Sequence, residues 1–249
     1  MRLRLIKLCP VLILCGWLAW QGALPARGES VSGRVVLVPS SGHPRVSDNS
    51  SAVVWLTPLD ETRLPPPSSQ RPPTTRRYKL IQKNKRFTPH LLVVPAGATV
   101  EFPNQDPIFH NVFSLFDGRR FDLGLYEAGS TRAVTFNEPG VSYIFCNIHP
   151  EMSAVVIALA TPYYAVSDAA GEFTILSVPA GRYQLNLWHE RALPETLKAV
   201  SRSVAVSTSA TSLGELRVPE AGDLLAKHKN KYGRDYDSAQ PLNKTYEQP

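Results

Sequence analysis

Apolar and polar residues alternate with period two over short runs along most of the chain, the pattern of half-buried strands rather than of helices. The alternation predicts strands at 31–38, 52–57, 78–82, 90–94, 99–102, 111–115, 131–136, 141–146 and 153–160. A further set follows at 163–166, 172–178, 183–188, 199–206 and 212–218. Glycine and proline mark the turns, as at Pro95-Ala96-Gly97 and Pro139-Gly140. The fold class is therefore all-β. Two strands alone do not hold a core, so the first pair needs partners from elsewhere in the chain. The dense series between 78 and 160 is sufficient for a compact sandwich or barrel.

Three stretches depart from this pattern. Residues 1–28 carry Arg2, Arg4 and Lys7, then an apolar run from 8 to 20, then small Ala26 and Gly28, which reads as an export signal cleaved before Glu29 and places the protein in the periplasm. That run is shorter than the roughly 20 residues needed to cross a bilayer, and no later run is long enough, so no transmembrane segment is expected in the mature chain. Cys15 has the position of a lipidated cysteine, but Leu14 before it is bulky where a small residue is required. Residues 64–75 hold Pro65, Pro66, Pro67, Pro72 and Pro73 and read as an extended linker. From 63 to 86 there are eight basic residues and no acidic one: a solvated linker and first strand, or a docking stripe for an acidic partner. The tail 219–249 has room for a short helix through Leu224 and Leu225, and beyond Lys227 it is polar and unpatterned, which predicts disorder.

Composition sharpens the picture in two places. The formal charge is +6, but four of the 27 basic residues and none of the 21 acidic ones precede Glu29, which leaves +2 for the remainder and no call for a nucleic-acid partner. Of three cysteines and two methionines, Cys9, Cys15 and Met1 belong to the export signal. One cysteine, Cys146, and one methionine, Met152, remain, with His149 between them. A lone cysteine in an exported chain has no internal disulfide partner and must be buried, paired with another chain or bound to metal.

The strand ending Tyr143-Ile144-Phe145-Cys146 places Tyr143 and Phe145 on one face and Ile144 and Cys146 on the other. A thiolate, two imidazoles and a thioether form the donor set of a blue-copper site. Here the sequence resembles the cupredoxin family, and within it the plastocyanins and amicyanins. The likeness is carried by His110-Asn111 after the strand ending Phe102-Pro103-Asn104, and by the Cys-x2-His-x2-Met loop at Cys146, His149 and Met152. The compact loop is similar to that of amicyanin. Phe87-Thr88-Pro89 and Pro95-Ala96-Gly97-Ala98-Thr99-Val100-Glu101-Phe102 match the family's opening strands, so the likeness spans 78–160. It implies one type 1 copper with His110, Cys146 and His149 as strong ligands and Met152 as a weak axial one. It also implies that Asn111 ties the two ligand loops together from outside the ligand set, that Phe109, Phe113 and Phe145 form a dry surround, and that electrons pass at the His149 ring edge.

In the second β region, Val166-Ser167-Asp168-Ala169-Ala170-Gly171-Glu172-Phe173 and Val178-Pro179-Ala180-Gly181-Arg182-Tyr183 resemble the carboxypeptidase regulatory-like family, a transthyretin-type sandwich. That family's first strands are similar to 31–36 and 52–56. The implied architecture is a cupredoxin Greek-key β-sandwich at 78–160 inserted into a second, small transthyretin-like β-sandwich formed by 29–70 and 161–218; a tandem arrangement is the alternative. Asp168 reads as a turn former ahead of a calcium ligand. The whole is similar to exported cupredoxins labelled methylamine utilisation proteins. The chain lacks His-x-His, Gly-x-Ser-x-Gly, His-Glu-x-x-His and a phosphate-binding glycine loop, so an electron carrier between redox proteins is expected rather than a catalyst. Copper delivery, storage or sensing is the alternative.

Overall fold

The computed structural model describes residues 29–39, 48–60, 77–115, 118–222 and 228–236. The export signal, the proline-rich linker, the helix expected around Leu224 and most of the basic stretch lie outside the described residues. Within them the order is β1 (Glu29–Val38), β2 (Val53–Pro58), β3 (Tyr78–Lys79), β4 (Ile81–Lys83), β5 (Arg86–Thr88), β6 (Leu91–Pro95), β7 (Ala98–Pro103) and β8 (His110–Ser114). Then come β9 (Phe121–Tyr126), β10 (Thr131–Phe136), β11 (Gly140–Cys146), β12 (Ser153–Leu159), β13 (Tyr164–Val166), β14 (Glu172–Val178) and β15 (Gly181–Trp188). Helix α1 (Pro194–Val200), β16 (Arg202–Val206) and β17 (Thr211–Pro219) close the series. Among the described residues the protein is all-β apart from that short helix.

Four sheets stack face to face. The outermost, in the order β10-β7-β3, packs on a five-stranded sheet ordered β6-β12-β11-β8-β9. Between them lies a core of Phe102, Val112, Tyr126, Phe136, Ile144 and Val156. The other face of the five-stranded sheet presents Phe113, Phe145, Val155 and Ile157 to Val53 and Trp188 of a sheet ordered β13-β2-β15-β16. That sheet covers the last one, β14-β1-β17, through Val35, Leu56, Ile175, Leu185 and Leu216. The first two strands thus pair only with strands beyond residue 160: β1 runs antiparallel to β14 and parallel to β17, and β2 pairs with β13 and β15.

Two inner sheets buried on both faces explain why some strands do not alternate. In β12, Ala154 through Leu159 are all buried, and in β2 Val53 faces one core and Val54 the other. In β11 the alternation does sort the side chains, with Ile144 and Cys146 in the first core and Tyr143 and Phe145 in the second.

Several elements differ from the sequence pattern: the run expected over 78–82 divides into β3 and β4, and β5 was not expected. The strand expected over 199–206 begins only at Arg202, because Pro194 opens a helical turn with Glu195 beside it at the N-terminus. Strand β9 was hidden by two turn-type residues, Asp122 and Gly124; Gly124 adopts φ 68° next to an irregularity in the β8–β9 register. Within the tail, expected to be disordered beyond Lys227, the described residues 228–236 depart from that pattern. Residues 228–236 form a compact loop around Asn230, whose side-chain oxygen accepts the N–H groups of Tyr232 and Arg234 at 3.0 and 3.1 Å.

Candidate metal centre

His110 opens β8, Cys146 ends β11, and the two strands are antiparallel neighbours with Cys146 opposite Val112. The loop from Cys146 to Met152 is closed by its own backbone: the Cys146 N–H donates to the Met152 carbonyl at 3.2 Å and the Met152 N–H to the His149 carbonyl at 3.1 Å. This turn folds His149 back over the end of the sheet. The Nδ1 atoms of His110 and His149 face each other at 3.1 Å, and Cys146 Sγ lies 3.8 and 3.5 Å from them. The three donor atoms lie within 4.8 Å of one another. His110, Cys146 and Met152 are fully buried and His149 is half-buried. Met152 belongs to the same packed core as Cys146.

The surroundings set the protonation of this group. Asp106 accepts His110 Nε2–H at 2.9 Å, which leaves Nδ1 as a lone-pair donor aimed at the sulfur. The Asp106 carboxylate is held in turn by the backbone N–H groups of Asn84 and Lys85. Burial pushes the Asp106 carboxyl up, but the bonds from Lys85, His110 and Asn84 bring it below its usual value. Burial lowers His110, with Asp106 opposing. His149 is pushed down to about 4, first by burial and then by the neighbouring His110. Burial raises the Cys146 thiol, with the backbone N–H groups of Ile148, Asn111 and His149 opposing.

Asn111 meets the loop after Cys146 through its backbone. Its carbonyl accepts the Asn147 N–H at 3.3 Å. The side-chain amide turns away to donate to Asp122 Oδ1 on β9 at 2.7 Å, and its own oxygen has no partner. Of the three phenylalanines expected around the site, Phe113 and Phe145 face the second core, on the opposite side of the sheet from Cys146, and Phe109 is half-buried.

Among the described residues, His90 and His189 stand apart from this cluster. His90 bonds Ser153 O and Glu190, and His189 bonds Ser50 O and the Arg191 N–H. Asp168 closes a turn by accepting the Glu172 N–H.

The sequence reading missed two sets of residues. Asp106 carried a weak signal, a carboxylate four positions before a histidine with a proline between. The tail residues His228, Lys231 and Tyr236 carried none, since nothing in their polar run distinguishes them from a solvated tail.

No family model matches the chain, and no curated protein matches it. Among solved structures it is similar to a purple cupredoxin from Nitrosopumilus maritimus, at 24% identity over 33% of this chain and 99% of that one, with a TM-score of 0.30. It is also similar to amicyanin from Paracoccus versutus, at 22% identity over 43% of this chain and 97% of that one, TM-score 0.30. A third likeness is to a copper-containing nitrite reductase from Thermus scotoductus, at 23% identity over 41% of this chain and 27% of that one, TM-score 0.33. At such identities and scores, the metal has to be read from the donor set itself.

Proposed function

We propose that the protein is an exported copper protein that carries single electrons between a donor and an acceptor protein. The observation that carries this reading is the buried convergence of Cys146 Sγ with the Nδ1 atoms of His110 and His149, all within 4.8 Å. These residues fit copper: one soft sulfur and two imidazole nitrogens. Asp106 fixes the His110 tautomer. Met152, buried in the same core, is the fourth donor in this reading. Copper held by this set would supply one-electron chemistry, because sulfur favours the lower oxidation state and imidazole the higher.

The chain does the rest. Packed side chains exclude water from Cys146 and His110, and the β8–β11 pairing holds both loops in place whatever the charge of the site. The half-buried His149 ring is the point at which a partner protein gains access. Residues 1–28 act as the export signal in this reading. The sheets built from β1, β2 and β13 to β17 serve as a regulatory-like scaffold without catalytic groups.

Purified protein given Cu(II) should develop an intense visible colour that bleaches with a mild reductant and returns on reoxidation; Cys146→Ser should abolish it. Protein that binds copper without colour would overturn the reading. Copper that passes at once to a chelator without reversible bleaching would favour delivery instead.

A further inference from the structure

Residues 228–236 of the tail pack on the loop that carries Cys146. Tyr236 Oη donates to the Cys146 carbonyl at 2.8 Å. The Lys231 N–H donates to Asn147 Oδ1 at 3.0 Å, and Lys231 Nζ bonds Asp122 Oδ2 at 2.8 Å. Asp122 is the residue that holds the Asn111 amide through its other oxygen. The His228 ring stacks on Phe145, with centroids 4.1 Å apart and planes 17° apart, and its Nε2 lies 3.0 Å from Tyr236 Oη. One nine-residue loop therefore reaches the residue before the cysteine, its carbonyl, the residue after it, and the carboxylate that steadies the neighbour of His110.

We propose that residues 228–236 form a clasp that holds the Cys146–Asn147 peptide and the Asn111 loop in register, with Tyr236 and Lys231 as its positioning residues. Three of the four donors sit within the seven positions 146–152, on a loop closed by two backbone bonds of its own. Such a loop opens locally at far lower cost than the sheet beneath it. The clasp adds anchors at the cysteine end, where a tilt of one peptide plane displaces the sulfur. The Asn230-centred turn makes it stiff enough to act, since Asn230 N–H and Gly233 N–H close it with backbone bonds of 2.9 Å each and Lys229 pairs with Asp235 at 2.8 Å. Its task is to keep the donor set assembled before the metal arrives and to slow the metal's departure afterwards. The second part rests on the copper reading; the first does not.

The test begins with the metal-free full chain. Hydrogen exchange of the Cys146, Asn147 and Met152 amides should speed up about fivefold in Tyr236→Phe, as expected when one protein hydrogen bond that resists local opening is lost. Lys231→Met should act in the same direction, whereas amides of β14 and β15 should keep their rates. Arg234→Lys, an exposed position on the same loop, is the control and should change nothing. In the copper-loaded chain, Tyr236→Phe should shift the sulfur-to-copper absorption band and hasten copper loss to a chelator, and Arg234→Lys should do neither. Unchanged loop exchange in both Tyr236→Phe and Lys231→Met would overturn the clasp, as would a uniform rise across the whole protein. A chain that takes up no coloured copper yet shows the local exchange pattern would retire the copper reading and leave the clasp standing.

Discussion

At the level of single residues, the site is organised by protonation. The Cys146 thiol is raised by burial above its ordinary value and is therefore protonated at neutral pH. His110 and His149 are both lowered, His149 to about 4, so both rings are neutral at pH 7. A metal that binds all three must displace the thiol proton and no imidazolium proton. Adding Zn(II) to the metal-free protein in weak buffer near pH 7 should thus release about one proton per metal. Release near zero would mean that the cysteine is not a ligand, and near two that a ring was charged. His110, Cys146 and His149 were legible because their types and spacing are unusual in so sulfur-poor a chain. Asp106 was not, because a carboxylate declares its role only through what it touches.

At the level of elements, the turns decide whether strands meet. Gly171 lies between Asp168 and β14 at φ 84°, and a Cβ there would stand 2.0 Å from the Val35 carbonyl, which accepts no side chain at that distance. That carbonyl belongs to β1, whose Val35 N–H also donates to Gly171 O at 2.8 Å. Gly171→Ala should therefore cost at least about 2 kcal/mol, read as a lowered urea midpoint with an unchanged slope. A loss below about 0.5 kcal/mol would show that the backbone shifts freely. Most strands were visible as alternation bounded by glycine and proline. Strands β5 and β9 and helix α1 were not: three residues are too few for alternation to show, Asp122 and Gly124 mimic a turn, and a seven-residue helix is too short for its period to stand out.

For the whole molecule, the contact between the two inner sheets is the telling feature. Trp188 packs there and its indole N–H reaches Tyr143 Oη at 3.4 Å, while His90, just ahead of β6, pairs with Glu190, just after β15, at 2.6 Å. The His90 hydrogen bond holds the Glu190 carboxyl below its usual 4.5, with burial opposing. A lowered acid stabilises the folded state above its unfolded value, and that contribution is lost as pH falls through the folded value. Glu190→Gln should accordingly lower the melting temperature at neutral pH and lose less than the parent as pH drops below about 4.5, in melts from about pH 7 to 3. Parallel curves would place the pair outside the folding energetics. What the sequence determined by itself was local: an all-β chain, the faces of β11, and a short segment rich in metal-binding side chains. Alternation and turn chemistry act over a few residues and so survive in a string of letters. Which strands share a sheet, and that a polar tail returns to the cysteine, only the tertiary structure decided. Pairing β1 with β17 or Tyr236 with Cys146 joins residues far apart in sequence, and the choice among possible partners is made by burial of whole faces that no local pattern encodes.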